Sequence, residues 1–169
     1  REAEVFGVSG RFDVVRNADH SKVIELLCRA KASVILSVRE GSCVAVAESM
    51  FADTPVALLR DAGIGSRVFV NPQTGRTLAH KNLGQQLTDF IREAHTYSPR
   101  QWALANISCY RSTQIMNEYV KSYATGIGED WTRDLAVHHW SPDPELAEDS
   151  DREWLVPELK RIKRQFGID

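Results

Sequence analysis

Short unbroken apolar runs and helical stripes alternate along the first two thirds of the chain. Val34, Ile35, Leu36, Ser37 and Val38 predict a buried strand, Arg39 to Ser42 a tight loop, Cys43 to Phe51 a small apolar helix, and Pro55 to Leu59 a second buried strand. Strands that are apolar throughout, rather than alternately, are covered on both faces, so this is the strand, loop, helix, strand unit of a parallel sheet. The flanks fit the same plan. Phe12 to Val15 predict a short strand, followed by a helix to Ala30 capped by Asp19 or Ser21. After Leu59 come a glycine-bearing loop from Asp61 to Ser66, a strand or edge segment from Val68 to Val70, and a turn from Asn71 to Gly75. Leu83, Leu87, Phe90 and Ile91 lie at helical spacing between Leu83 and Glu93. Ser98-Pro99-Arg100 then opens a helix, a cap followed by proline in the first turn, that reaches about Tyr123 and breaks near Ser108.

These elements predict one α/β domain over residues 1–125 and an appended tail over 126–169. Gly126, Gly128, Pro142, Pro144 and Pro157 punctuate the tail, and Glu145 to Glu153 is acidic. Trp131, Trp140 and Trp154 argue against full disorder, because large aromatics are what disordered tails lack; they are expected to dock on the domain or on a partner. The tail ends in a helix.

In parallel sheets ligands bind beyond the carboxyl ends of the strands, where Glu40 and the start of the Cys43 helix lie. Ser42 is placed to cap that helix, and the amides of Cys43, Val44 and Ala45 would then point out of its first turn as a phosphate site. Gly41 lets a ligand approach the backbone. Glu40 in the loop and Glu48 in the helix flank this position, and carboxylates accept hydrogen bonds from hydroxyls. A phosphate between two hydroxyl-binding acids has the shape of a sugar nucleotide. Taken alone, both glutamates also read as ordinary solvated acids. Arg67 and Arg76 are candidate counter-charges for a diphosphate, with Arg39 and Lys81 ranking no higher.

Composition narrows the classes. With 43% hydrophobic and 26% charged residues over 169 positions, the chain can bury one sizeable core. A formal charge of −2 gives no electrostatic footprint for nucleic acid, and leaves Lys160, Arg161, Lys163 and Arg164 as the solvated face of the last helix. The longest apolar runs are strand length, and no signal peptide is visible. Cys28, Cys43 and Cys109 are odd in number and lack zinc-site spacing, which points to reduced thiols in a cytoplasmic protein. Cys28 is expected in the core. Cys43 falls at a helix start, where a thiol pKa can be lowered, but no His lies close in sequence to make it a nucleophile. His138-His139 reads as a surface pair, since neighbours on an extended segment point opposite ways, and no metal site is predicted.

The stretch from Ser37 to Val56 resembles the donor-site motif of family-four retaining glycosyltransferases of the GT-B fold, with Ser37, Glu40, Gly41, Glu48, Ser49, Met50, Ala52, Pro55 and Val56 in register. Weaker likeness extends over roughly Phe12 to Tyr123, through the helix from Ser21 to Ser33 and the glycines Gly63, Gly65 and Gly75. The resemblance implies a Rossmann-like parallel sheet with flanking helices, as in the donor-binding C-terminal domain of such an enzyme. It implies that Glu48 binds the ribose hydroxyls, that Glu40 lies at the donor sugar as the catalytic-site acid, and that the backbone of Gly41, Ser42, Cys43 and Val44 meets the sugar and diphosphate. The departure is at Ser42 to Ala45, where the family often carries a second glycine, and it bears on the donor's identity.

The implied reaction moves a hexose from a nucleotide diphosphate to a saccharide, lipid or polysaccharide acceptor, with retention of configuration and no obligatory metal or other cofactor. The N-terminal acceptor domain of such an enzyme is absent from this chain, which begins Arg1-Glu2-Ala3 and has little sequence ahead of the motif. The expectation is therefore a donor half, inactive alone, cut from a longer protein that is free to associate with a membrane surface. Two other classes fit the same elements: a non-catalytic flavodoxin-like binding module, and a fragment of a GT-B nucleotide-sugar epimerase.

Overall fold

The computed structural model describes residue 7, residues 9–137 and residues 150–167. His138-His139, Trp140, Pro142, Pro144 and most of the acidic stretch lie outside the described residues. The protein is mixed α/β, with a small parallel sheet and flanking helices. Its residues fall into two compact units, 1–106 and 107–169.

In the first unit, α1 (His20–Arg29) opens on Asp19, whose carboxylate accepts from the Lys22 amide at 2.7 Å, so Asp19 rather than Ser21 is the cap. β1 (Ser33–Ile35) is followed by β2 (Arg39–Glu40), α2 (Val44–Phe51), β3 (Val56–Leu59) and β4 (Gly63–Ile64). A 3-10 helix (Gly65–Phe69), β5 (Gly75–Leu78), α3 (Leu83–Arg92), a second 3-10 turn (Ala94–Thr96) and α4 (Pro99–Asn106) complete it.

The main sheet has the order β1-β3-β5, all parallel, with Ser33 opposite Val56 and Val56 opposite Gly75. β3 is its centre, and all four of its residues are buried. Around it pack Val46 and Met50 of α2, Leu78 of β5 and Phe90 of α3, each fully buried and each stabilising the fold by about 1.5–3 kcal/mol. Phe90 meets Tyr97 edge-on at 5.4 Å. The approach of β5 to β3 is so close that a Cβ on Gly75 would lie 1.9 Å from the Val56 carbonyl oxygen.

Three strand expectations are corrected. Phe12 to Val15 form no strand and are exposed, so β1 has an open edge. With that edge uncovered, the apolar run after Ile35 leaves the ladder; Leu36 is 47% and Val38 70% exposed. The predicted loop at Arg39 and Glu40 instead forms β2. Val68 to Val70 are also not a strand, because the chain coils into the 3-10 helix, where Thr74 donates from its hydroxyl to the Phe69 carbonyl at 2.7 Å. The turn at Asn71 to Gly75 stands where expected, closed by the Gly75 amide on the Asn71 carbonyl at 3.0 Å.

α2 ends on Asp53, which takes the left-handed conformation (φ 63°) while the Thr54 amide returns to the Ser49 carbonyl at 2.9 Å. The Asp53 carboxylate accepts from the Arg100 amide at 3.1 Å and so satisfies the first turn of α4.

The second unit contains α5 (Cys109–Gly126) and α6 (Asp151–Phe166). The predicted break falls at Ser108, whose hydroxyl caps α5 through the Arg111 amide at 3.2 Å. Asn117 of α5 donates to the Asp134 carboxylate and accepts from the Leu135 amide, and the Trp131 indole also donates to Asp134. These bonds hold the extended segment beyond α5 to that helix. The final helix is present and carries Pro157 within it.

Candidate functional site

Beyond the carboxyl ends of β1 and β3 the same two segments meet a second time. β2 and β4 pair in parallel, Arg39 opposite Gly63 and Glu40 opposite Ile64. Immediately after them the Gly65 amide donates to the Gly41 carbonyl at 2.7 Å. A Cβ on Gly65 would stand 2.8 Å from that oxygen, so this crossing requires glycine, whereas Gly41 has open space around its own Cβ position.

Glu40 projects from the end of β2 and is exposed. The Ser37 hydroxyl first, and the Cys43 thiol second, hold its carboxyl below the usual glutamate value. Burial, and then the neighbouring Glu40 carboxylate, push the Cys43 thiol up, against the opposing pull of the Val46 and Ala45 amides. A raised thiol pKa is the reverse of what an activated nucleophile needs.

The cap expectation is also corrected. Cys43, not Ser42, occupies the N-cap position of α2, in the left-handed conformation (φ 48°, ψ 77°), and no side chain caps the helix. Ser42 lies one residue too early for its hydroxyl to reach the first-turn amides. Its backbone, with that of Gly41, remains exposed at the corner.

Glu48 lies on the first complete turn of α2 and lines a groove of ≈ 420 Å³ together with His20, Ile24, Val44, Phe51 and Arg100. Its carboxylate Oε1 is 3.0 Å from His20 Nε2, and its side chain is 24% exposed. Val44 shares this groove but Glu40 does not, so the two glutamates stand on different parts of the surface around the start of α2. Cys28 also lines it and is exposed rather than in the core.

Of the candidate cations, Arg67 lines a second groove of ≈ 660 Å³ beside Gly63 and Gly65, next to the Gly41 crossing. Arg76 is engaged elsewhere, paired with Glu93 in a cleft at the start of β5. Arg39 lies on β2 beside Glu40, and the Lys81 carbonyl accepts from Gln86 ahead of α3. No cluster of metal-ligating side chains occurs among the described residues, and none of their helices is long and apolar enough to cross a membrane.

His20 is the partner that sequence reasoning missed. It sits at the first position of α1, and only the packing of α1 against α2 brings it to Glu48; no spacing rule links residues so far apart. Chemically, the rim offers two hydroxyl acceptors, a guanidinium at either groove and an apolar trough between two helices. Compared with known families, curated proteins and solved structures, the chain matches no family model, no curated protein and no solved structure.

Proposed function

We propose that this chain is the nucleotide-sugar-binding part of a retaining hexosyltransferase, a Rossmann-like donor domain of the GT-B kind. The observation that carries the reading is Glu48. The motif from Ser37 to Val56 assigns it to ribose hydroxyls, and its carboxylate stands half-shielded on the wall of an open groove, one helical turn from the start of α2.

In this reading the diphosphate lies at the corner formed by Gly41, Ser42, Cys43 and Val44, with Arg67 as its counter-charge. Glu40 faces the donor sugar, and like any exposed glutamate it is an ionised acceptor at neutral pH. Catalysis of this kind comes from fixed dipoles and charges aimed at the departing diphosphate rather than from a covalent nucleophile.

Thermal unfolding with UDP, GDP, ADP and their glucose or mannose conjugates tests the reading. Ligand at a hundred times its dissociation constant adds about 2.7 kcal/mol, or about 5–10 °C for a protein of this size. One nucleotide is expected to give that shift, and Glu48→Ala to abolish it while leaving the unliganded midpoint within a degree or so. A flat response to every nucleotide overturns the reading.

A further inference from the structure

The last helix keeps its apolar side chains on one face and leaves them uncovered. In α6, Leu155, Leu159, Ile162 and Phe166 follow one another at intervals of four, three and four residues, so they form one stripe, with Val156 at its border. Val156, Leu159, Ile162 and Phe166 are all exposed. Most of the remaining face is cationic. Between Leu155 and Gly167 the helix carries Lys160, Arg161, Lys163 and Arg164 against the single acid Glu158, which pairs with Arg161 at 2.8 Å. Cations in a last turn answer the helix dipole, which accounts for Lys163 and Arg164 but not for Lys160, Arg161 or the stripe.

We propose that α6 lies along an anionic bilayer surface, with its stripe from Leu155 to Phe166 in the headgroup boundary and Lys160, Lys163 and Arg164 on lipid phosphates. The helix belongs to the second compact unit, so the proposal stands apart from the donor reading. A surface helix of this kind has an apolar face, a basic polar face and low overall hydrophobicity, and it sinks the apolar face about 5–10 Å into the boundary. Lysine and arginine stems beside the stripe reach back from that depth to the phosphates. Charge identifies lipid as the occupant. Four cations stand within the five positions from Lys160 to Arg164 of a chain whose formal charge is −2, a local match to a sheet of anions rather than a general property of the protein. A helical protein partner fits less well, because the repeat from Leu155 to Phe166 lasts less than two heptads and a coiled coil needs about three or four. The apolar stripe of α5 at Met116, Tyr119 and Tyr123 is not its cover either, since both stripes stand open.

Flotation of the whole chain with lipid vesicles tests this. Binding is expected to vesicles of phosphatidylcholine with about one third phosphatidylglycerol, and should be at least about tenfold weaker on phosphatidylcholine alone or in about 1 M salt, where the Debye length falls to about 3 Å. Lys160→Glu with Lys163→Glu, and separately Leu159→Ser with Phe166→Ser, should each weaken binding by more than about tenfold. Arg29→Glu with Arg92→Glu makes the same charge change in the first unit and should leave binding within about twofold. All six positions are exposed, so none of these variants is expected to unfold the chain, and thermal midpoints check that. No binding to either vesicle, equal binding to both, or an equal loss in the Arg29 and Arg92 variant overturns the proposal. If charge reversal alone weakens binding, the cations merely adsorb and the seated stripe is overturned. If the chain sediments as a dimer that Leu159→Ser with Phe166→Ser returns to a monomer, the stripe belongs to a second copy and the bilayer is overturned as its occupant.

Discussion

The two parallel sheets are fed by the same two segments of chain, yet they are built to opposite standards. β1 and β3 enter the main sheet, where β3 is buried on every residue and Gly75 lets β5 close against it. A few residues later the chain beyond each strand pairs again as β2 and β4, two residues apiece, with Arg39 and Glu40 exposed. The first pairing is held by packing from Met50, Leu58, Leu78 and Phe90. The second is held by a short ladder and one crossing of Gly65 over Gly41. A site needs open backbone and exposed carboxylates, and the corner carries both above a sheet that is tightly packed.

Glycine substitutions break that contrast most directly. Gly75→Ala places a Cβ 1.9 Å from a backbone carbonyl in the core, where nothing flexible can give, and is expected to cost about 3 kcal/mol or more by urea unfolding. Gly65→Ala meets the Gly41 oxygen at 2.8 Å, but in an exposed ladder free to shift, and should cost about 1–2 kcal/mol. Gly41→Ala meets nothing and should leave stability within about 0.5 kcal/mol. Equal losses at Gly75 and Gly65 would show that the corner is as rigid as the sheet.

How far the sequence disclosed this arrangement depends on the range of the forces involved. α2 and β3 to within a residue, the Asn71 turn, a cap at Asp19 or Ser21 and the helix break at Ser108 were legible, because local hydrogen bonding and apolar spacing decide them. The length of β1 was not. An unbroken run implies cover on both faces, yet Val34, Leu36 and Val38 are exposed, and the strand expected from Phe12 to Val15 does not form beside β1. The cap at Ser42 failed because Cys43 takes a left-handed backbone that no composition rule assigns to cysteine. Within the candidate site, the separate placing of Glu40 before the helix and Glu48 within it was legible, but the His20 contact arises only from the packing of α1 on α2.

Thr54→Val sharpens the comparison at the seam between sheet and groove. Thr54 is 1% exposed and donates from its hydroxyl to the Leu27 carbonyl of α1 at 2.6 Å. That carbonyl also accepts from the Ala30 amide at 3.0 Å, so losing the hydroxyl leaves no bare acceptor. The isosteric change should therefore cost about 1 kcal/mol, a net hydrogen bond without a desolvation penalty. Hydrogen exchange should quicken over α1 more than over β3. Equal quickening in both would mean that α1 and the sheet open as one unit.

The smallest effect lies in the exposed corner. Hydrogen bonds from Ser37 first and Cys43 second lower the Glu40 pKa, so whatever the carboxylate contributes is complete above the ordinary glutamate value of 4.5 and is lost as pH falls through the lowered one. The pH dependence is thus confined below pH 4.5, and any effect of Ser37→Ala on the urea midpoint should be constant between pH 5 and 7 and shrink as the pH falls further. The sensitive reading is the side-chain carboxyl carbon of Glu40 followed by NMR. It should titrate below 4.5 in the native chain and move up toward that value in Ser37→Ala, with a smaller rise in Cys43→Ala. An unchanged midpoint in Ser37→Ala would mean that the corner does not hold its acid in place, leaving the packed sheet as the one ordered half of the pair.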